Sequence, residues 1–136
     1  MMVNKISYFV FMFGMILMSD STSANTFIGK SLICSTEKFA VKGGFVFSDS
    51  KQVYKYNILL NNYDKEYVKK TLHCYSLARN TIAISQYSAD EGCGSFNSFL
   101  DSKSLKYTRP LTEYVLTANC DFYERDLEKK LNEVLK

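Results

Sequence analysis

Hydrophobic positions along this chain recur mostly at every second residue. In the stretch 52–60, Tyr54, Tyr56, Ile58 and Leu60 fall on one face, while Lys55 and Asn57 fall on the other with Val53 and Leu59 at its ends. A period of two is the mark of a strand with one buried face, and here the pattern assigns burial to the tyrosine face. Similar short runs predict strands at 31–36, from 45, at 67–77, 81–87, 96–100, 105–109 and 114–120. The breaks between them carry turn chemistry. They include Lys42-Gly43-Gly44, Asn61-Asn62, Arg79-Asn80, a loop over 88–94, and Asp101-Ser102-Lys103-Ser104. Arg109-Pro110 ends a strand, because proline donates no ladder bond.

The tail changes period. Leu127, Leu131, Val134 and Leu135 lie at i, i+4, i+7 and i+8, one stripe of an α-helix over about 122–136. Asp121 and Glu124, three apart, are placed to form a capping box at its start. The outer face of that helix mixes acids and bases, so packing against the sheet suits it better than an anionic membrane. Strands at hairpin spacing followed by one helix give a mainly β fold, a single antiparallel meander with a C-terminal amphipathic helix. The pattern fits both a curled sheet and a small closed barrel.

The first 24 residues stand apart. Lys5 precedes an apolar run over 6–18 that holds no charge, and a small, polar exit ends at Ala24. These are the three parts of a secretory signal peptide, and the run is too short for a comfortable membrane span. The expected organisation is therefore a signal peptide over 1–24 and one β-rich domain over 25–136, periplasmic or secreted. That boundary also removes a relaxed phosphate-loop match at 24–31, whose upstream strand would be the cleavage site.

Composition narrows the partners. The net charge is +3 over 136 residues, and no basic cluster is dense enough for a nucleic-acid footprint. Ten tyrosines, ten phenylalanines and no tryptophan suit pleated, half-buried surfaces. The unidentified partner is expected to be a protein or a small-molecule ligand, with no cofactor, no metal and no stable span after signal cleavage.

Cys34, Cys74, Cys93 and Cys120 all follow the signal. An even count in an exported domain of this size implies disulfides. Three connectivities exist, and the preferred one is Cys34–Cys120 with Cys74–Cys93. The first pair joins the first and last strands, which are neighbours if the meander closes. The second ties a strand to the nearby glycine-flanked loop.

Three other constellations carry chemistry. Cys93 between Gly92 and Gly94, with the lone His73, has the residue types of a Cys–His nucleophile, but a disulfide cysteine in a glycine turn accounts for it better. Asp90-Glu91 lies in a polar loop that offers little burial to shift a carboxylate. Tyr54, Tyr56, Tyr107 and Tyr114 are the candidate lining of a ligand cavity of the kind small barrels enclose.

In outline the chain resembles small uncharacterised exported bacterial proteins. The resemblance rests on the run 99–109 before a strand ending in Cys120, on Leu32-Ile33-Cys34, and on Gly44-Phe45-Val46-Phe47. It implies a β-rich fold and carries no known activity. The chain is also similar to periplasmic lysozyme inhibitors in scale, export signal and cysteine-tied barrel, but it lacks their Ser/Gly-rich inhibitory loop. The leading expectation is a non-enzymatic exported binding or inhibitor module on a stapled β scaffold. An envelope-associated accessory protein that docks a partner through its C-terminal helix is the alternative. An enzyme using Cys93 and His73 is a distant third.

Overall fold

The computed structural model describes residues 27–37 and 39–135, without the side chains at 39–42. The signal peptide expected over 1–24 lies outside the described residues. The strands are β1 (Ser31–Thr36), β2 (Phe39–Phe47), β3 (Gln52–Leu60), β4 (Glu66–Ala78), β5 (Thr81–Ser88), β6 (Gly92–Asp101), β7 (Lys106–Pro110) and β8 (Val115–Phe122). A short helix, α1 (Leu127–Glu133), follows. The strands form one antiparallel meander in sequence order, and β8 returns to pair with β1 and close the barrel. Closure leaves neither terminal strand, β1 nor β8, as an open edge that would invite pairing with other chains.

Local chemistry sets the turns. The Asp101 carboxylate accepts from the Lys103 and Ser104 amides at 2.9 and 2.8 Å. The Ser104 amide, then that of Lys103, hold this carboxyl below its ordinary range. Asn61 Oδ1 accepts from the Tyr63 and Lys65 amides, and Asp49 Oδ1 from those of Lys51 and Gln52. Each side chain stands in for a backbone carbonyl where the chain reverses.

The register divides each strand into an inward and an outward face. Inward Leu32, Phe45, Phe47, Val53, Tyr75, Ile82, Ile84 and Leu100 fill the lower half, the end bearing the β2–β3, β4–β5 and β6–β7 turns. Phe27 caps that end, its ring 5.3 Å from that of Phe47. The Tyr75 hydroxyl donates to the Asp49 carbonyl, and burial pushes its phenol up from the ordinary value.

A second, smaller core lies outside the barrel. Leu127 and Leu131 of α1 pack on the outer face of the sheet against Tyr56, with Ile33, Val46, Tyr54, Ile58 and Val68 around them. Burying each leucine contributes about 1.5–3 kcal/mol. This corrects the face expected for β3. Tyr54, Tyr56 and Ile58 are covered, but by the helix. Val53, Lys55, Asn57 and Leu59 are the positions that face the barrel interior. Both faces of β3 are occupied, and alternation alone does not say which one looks inward.

Three boundaries also differ from expectation. Lys42-Gly43-Gly44 is not a turn but the middle of β2, where Gly43 and Gly44 pair with both neighbouring strands. Strand β6 begins at Gly92, inside the expected loop, because Tyr87–Cys93 and Ser88–Gly92 pair across the hairpin. The helix starts at Leu127, the first residue of its stripe, and not near 122 as the expected capping box implied. Asp121 and Phe122 belong to β8, paired with Ile33 and Leu32, so Asp121 cannot cap. Asp126 is the N-cap instead, its carboxylate accepting from the Lys129 amide at 3.1 Å.

Candidate functional site

The upper half of the barrel is built differently from the lower. Residues 66–72 of β4 pair with β3 alone, since β5 joins β4 only from His73 onward. Strand β6 meets β7 only at Phe99–Thr108 and Leu100–Tyr107, so Arg109 and Pro110 pair with β8 alone. Between upper β4 and upper β7 the wall is therefore not a hydrogen-bonded ladder. Irregular register between Ile84 and Tyr87 marks where the β5–β6 hairpin leaves it, as bulges do when they re-aim a strand. The Cys74–Cys93 disulfide, with a Cα–Cα distance of 5.9 Å, ties the end of that hairpin to β4.

A cavity of about 220 Å³ occupies this half and is open to solvent. Its lining includes Cys34 and Thr36 of β1, Gly43 and Phe45 of β2, Lys55, Asn57 and Leu59 of β3, Tyr107 of β7, and Leu116 and Ala118 of β8. Register places Lys69, Thr71 and His73 of β4 and Arg109 of β7 on the same inward face. The wall is thus apolar on the β8 side and cationic across it. Lys55, Lys69 and Arg109 are inward, and none of the inward positions named for this half is a carboxylate.

The polar groups have defined partners. Lys55 Nζ donates to the Tyr107 hydroxyl at 3.1 Å. His73 lies between Thr71 Oγ1, 2.9 Å from Nε2, and the Ser85 carbonyl, 3.2 Å from Nδ1. A carbonyl only accepts, so Nδ1 carries the proton and Nε2 accepts from the Thr71 hydroxyl. Thr36 Oγ1, on the cavity wall, is buried and has no hydrogen-bond partner among the described residues.

Burial lowers the His73 pKa, and the Lys55 and Arg109 charges lower it further against the opposing Ser85 hydrogen bond. The sign follows for stability. The unfolded chain takes up this proton near about pH 6.5, whereas the folded ring resists it to lower pH. The contribution is complete above that value and is lost as pH falls. Urea unfolding is therefore expected to show declining stability as pH drops below about 6.5, and His73→Gln to flatten that limb. As the chain's one histidine, His73 titrates there without another imidazole. A wild-type limb that the substitution leaves unchanged would show that another group sets it.

Of the four expected lining tyrosines, Tyr107 is in the cavity wall, buried on the inward face. Tyr54 and Tyr56 sit under α1, with only the Tyr56 position bordering the cavity through the strand. Tyr114 is 62% exposed in the β7–β8 connection. These placements follow from the inverted face of β3. The residues missed were Lys55, Asn57, His73 and Arg109. Their signal was parity: Lys55 and Asn57 share the face of Val53, which the core requires.

Cys93 is bonded to Cys74 and Cys34 to Cys120, so no thiolate is available to His73. Two disulfides are the mark of an oxidising, extracytoplasmic setting. Asp90 lies in the exposed β5–β6 turn beside Glu91. No group of three or more potential metal-ligating side chains occurs among the described residues. No helix among them is long and apolar enough to cross a membrane. A second cleft, about 640 Å³, lies outside the barrel between Gly29-Lys30-Ser31 and the β8–α1 connection. The chain matches no protein-family model, no curated protein and no solved structure.

Proposed function

We propose that this is a non-enzymatic, exported binding module that takes one small molecule into the upper half of its barrel. The observation that carries the reading is the open cavity of about 220 Å³ inside the sheet, with an apolar wall and a few convergent polar groups. Such concave sites are the usual form of small-molecule pockets, and eight-stranded barrels are wide enough to hold one ligand. The leader expected over 1–24 and the disulfides together favour the periplasm or the exterior. Docking a partner through α1 has less support, because Leu127 and Leu131 are already buried against the barrel.

The test is an amide NMR titration of the oxidised protein with octanol, a neutral apolar probe. Saturable shifts are expected at Gly43, Lys55, Asn57, Leu116 and Ala118. Ala118→Leu, which fills the cavity from β8, is expected to abolish them while leaving the spectrum folded. Shifts scattered over the outer surface, or unchanged binding in the filled variant, would contradict the proposal.

A further inference from the structure

We infer that the ligand is an anionic amphiphile, its carboxylate held between Lys55 of β3 and Arg109 of β7 and its tail lying against Leu59, Leu116 and Ala118. This rests on the binding reading above and names the chemistry of that ligand.

Two half-buried cations, Lys55 and Arg109, with exposed Lys69 on the same register face, meet a half-barrel whose inward positions named above include no acid. A cation drawn out of water needs a counter-charge or full hydrogen bonding. Lys55 is half-buried, and its acceptor is a neutral hydroxyl.

The cluster also carries a surplus of donors. An ammonium has three donors and a guanidinium five. Tyr107 accepts from Lys55, which leaves its own O–H to donate into the same space. His73 does not relieve the surplus, because Nε2 is already paired with Thr71 and Nδ1 with Ser85. The acceptors on this wall, Tyr107, Asn57 and Thr36, are all neutral, and a carboxylate adds charged ones, through charge-assisted bonds of the stronger kind.

Lys69 and Arg109 come from β4 and β7, the strands that flank the unpaired stretch of wall, Lys55 comes from β3 beside β4, and the apolar lining comes from β8 and the end of β3. A molecule entering there meets charge on one side and hydrocarbon on the other. The small volume favours a short tail.

Calorimetric titration of the oxidised protein compares octanoate, octanol and inorganic phosphate. Octanoate is expected to bind roughly ten-fold or more tightly than octanol, and increasingly so at low salt. Lys55→Met and Arg109→Gln are each expected to weaken octanoate by about that factor and to leave octanol unchanged. Equal affinity for octanoate and octanol would overturn the anion site while leaving the cavity reading intact. Binding of neither would overturn both. Inorganic phosphate binding as tightly as octanoate would overturn the role of the tail. Stability without ligand gives an independent readout. Lys55→Met is expected to raise the unfolding midpoint, because it removes a half-buried cation whose bonded acceptor is a neutral hydroxyl. A lowered midpoint would mean that Lys55 is a structural group and would overturn the inference.

Discussion

Replacing Cys34 and Cys120 together by alanine is expected to cost about 4.5 kcal/mol of stability. The two cysteines are paired directly across β1 and β8, the seam that closes the barrel, and are 86 residues apart in sequence. In a chain-entropy treatment the constraint on the unfolded state grows with the loop closed, so the 19-residue Cys74–Cys93 bridge is worth less, about 3 kcal/mol. A loss of 4.5 kcal/mol approaches the whole stability of a small domain. Urea unfolding of the two double variants checks the order. Loss of the seam bridge is expected to destabilise more and to lower the thermal midpoint by well over 10 °C. The reverse order would mean that the hairpin tether, not the seam, limits unfolding.

Substitution of the paired glycines in β2 is expected to be nearly as damaging. A Cβ at Gly44 would lie 2.1 Å from the Leu32 carbonyl oxygen and 2.9 Å from Leu127 Cδ2. At Gly43 it would lie 2.0 Å from the Tyr56 carbonyl oxygen. These obstacles are mainly backbone, and backbone cannot swing aside as a side-chain tip can. Glycine here allows the neighbouring strands and α1 to approach closely. Gly43→Ala and Gly44→Ala are each expected to lose about 3 kcal/mol or more in urea unfolding. Gly94→Ala is the control, since its nearest obstacle is the Gln86 carbonyl oxygen at 3.5 Å, and it is expected to stay within about 0.5 kcal/mol of the parent. A neutral Gly44→Ala would show that β2 can move outward and that the close approach is not obligatory.

These glycines also mark where reading the sequence falls short. Gly43-Gly44 after a lysine has the composition of a turn, and only the partners on both sides make it a strand interior. Alternation located β3 residue for residue, yet it placed Tyr54 and Tyr56 in the wrong environment. A strand covered by a helix on one side and lining a cavity on the other has two semi-apolar faces, and period two carries no sign for inside. The helix stripe was legible, but its start was not. The pairing of Asp121 and Phe122 with β1 extends β8 past the apparent cap. Tertiary pairing overrode a local signal in each case.

The site was the least legible part. Lys55 and Arg109 carried no sign of the site, because lysine and arginine on a β face ordinarily point to water, as exposed Lys69 does. What brings them together is closure of the barrel, which places β7 across from β3 and β4 with its odd-numbered residues inward. The cysteines were more transparent, since a meander that closes must bring its first and last strands side by side.

The central claim is that the upper half of the barrel is a ligand site and the lower half is packing. A crystal structure of the oxidised protein grown with octanoate tests it most directly. The hydrocarbon tail is expected against Leu116 and Ala118 and the carboxylate within hydrogen-bonding reach of Lys55 Nζ. A cavity filled with the protein's own side chains, or octanoate bound only on the outer surface, would contradict the claim.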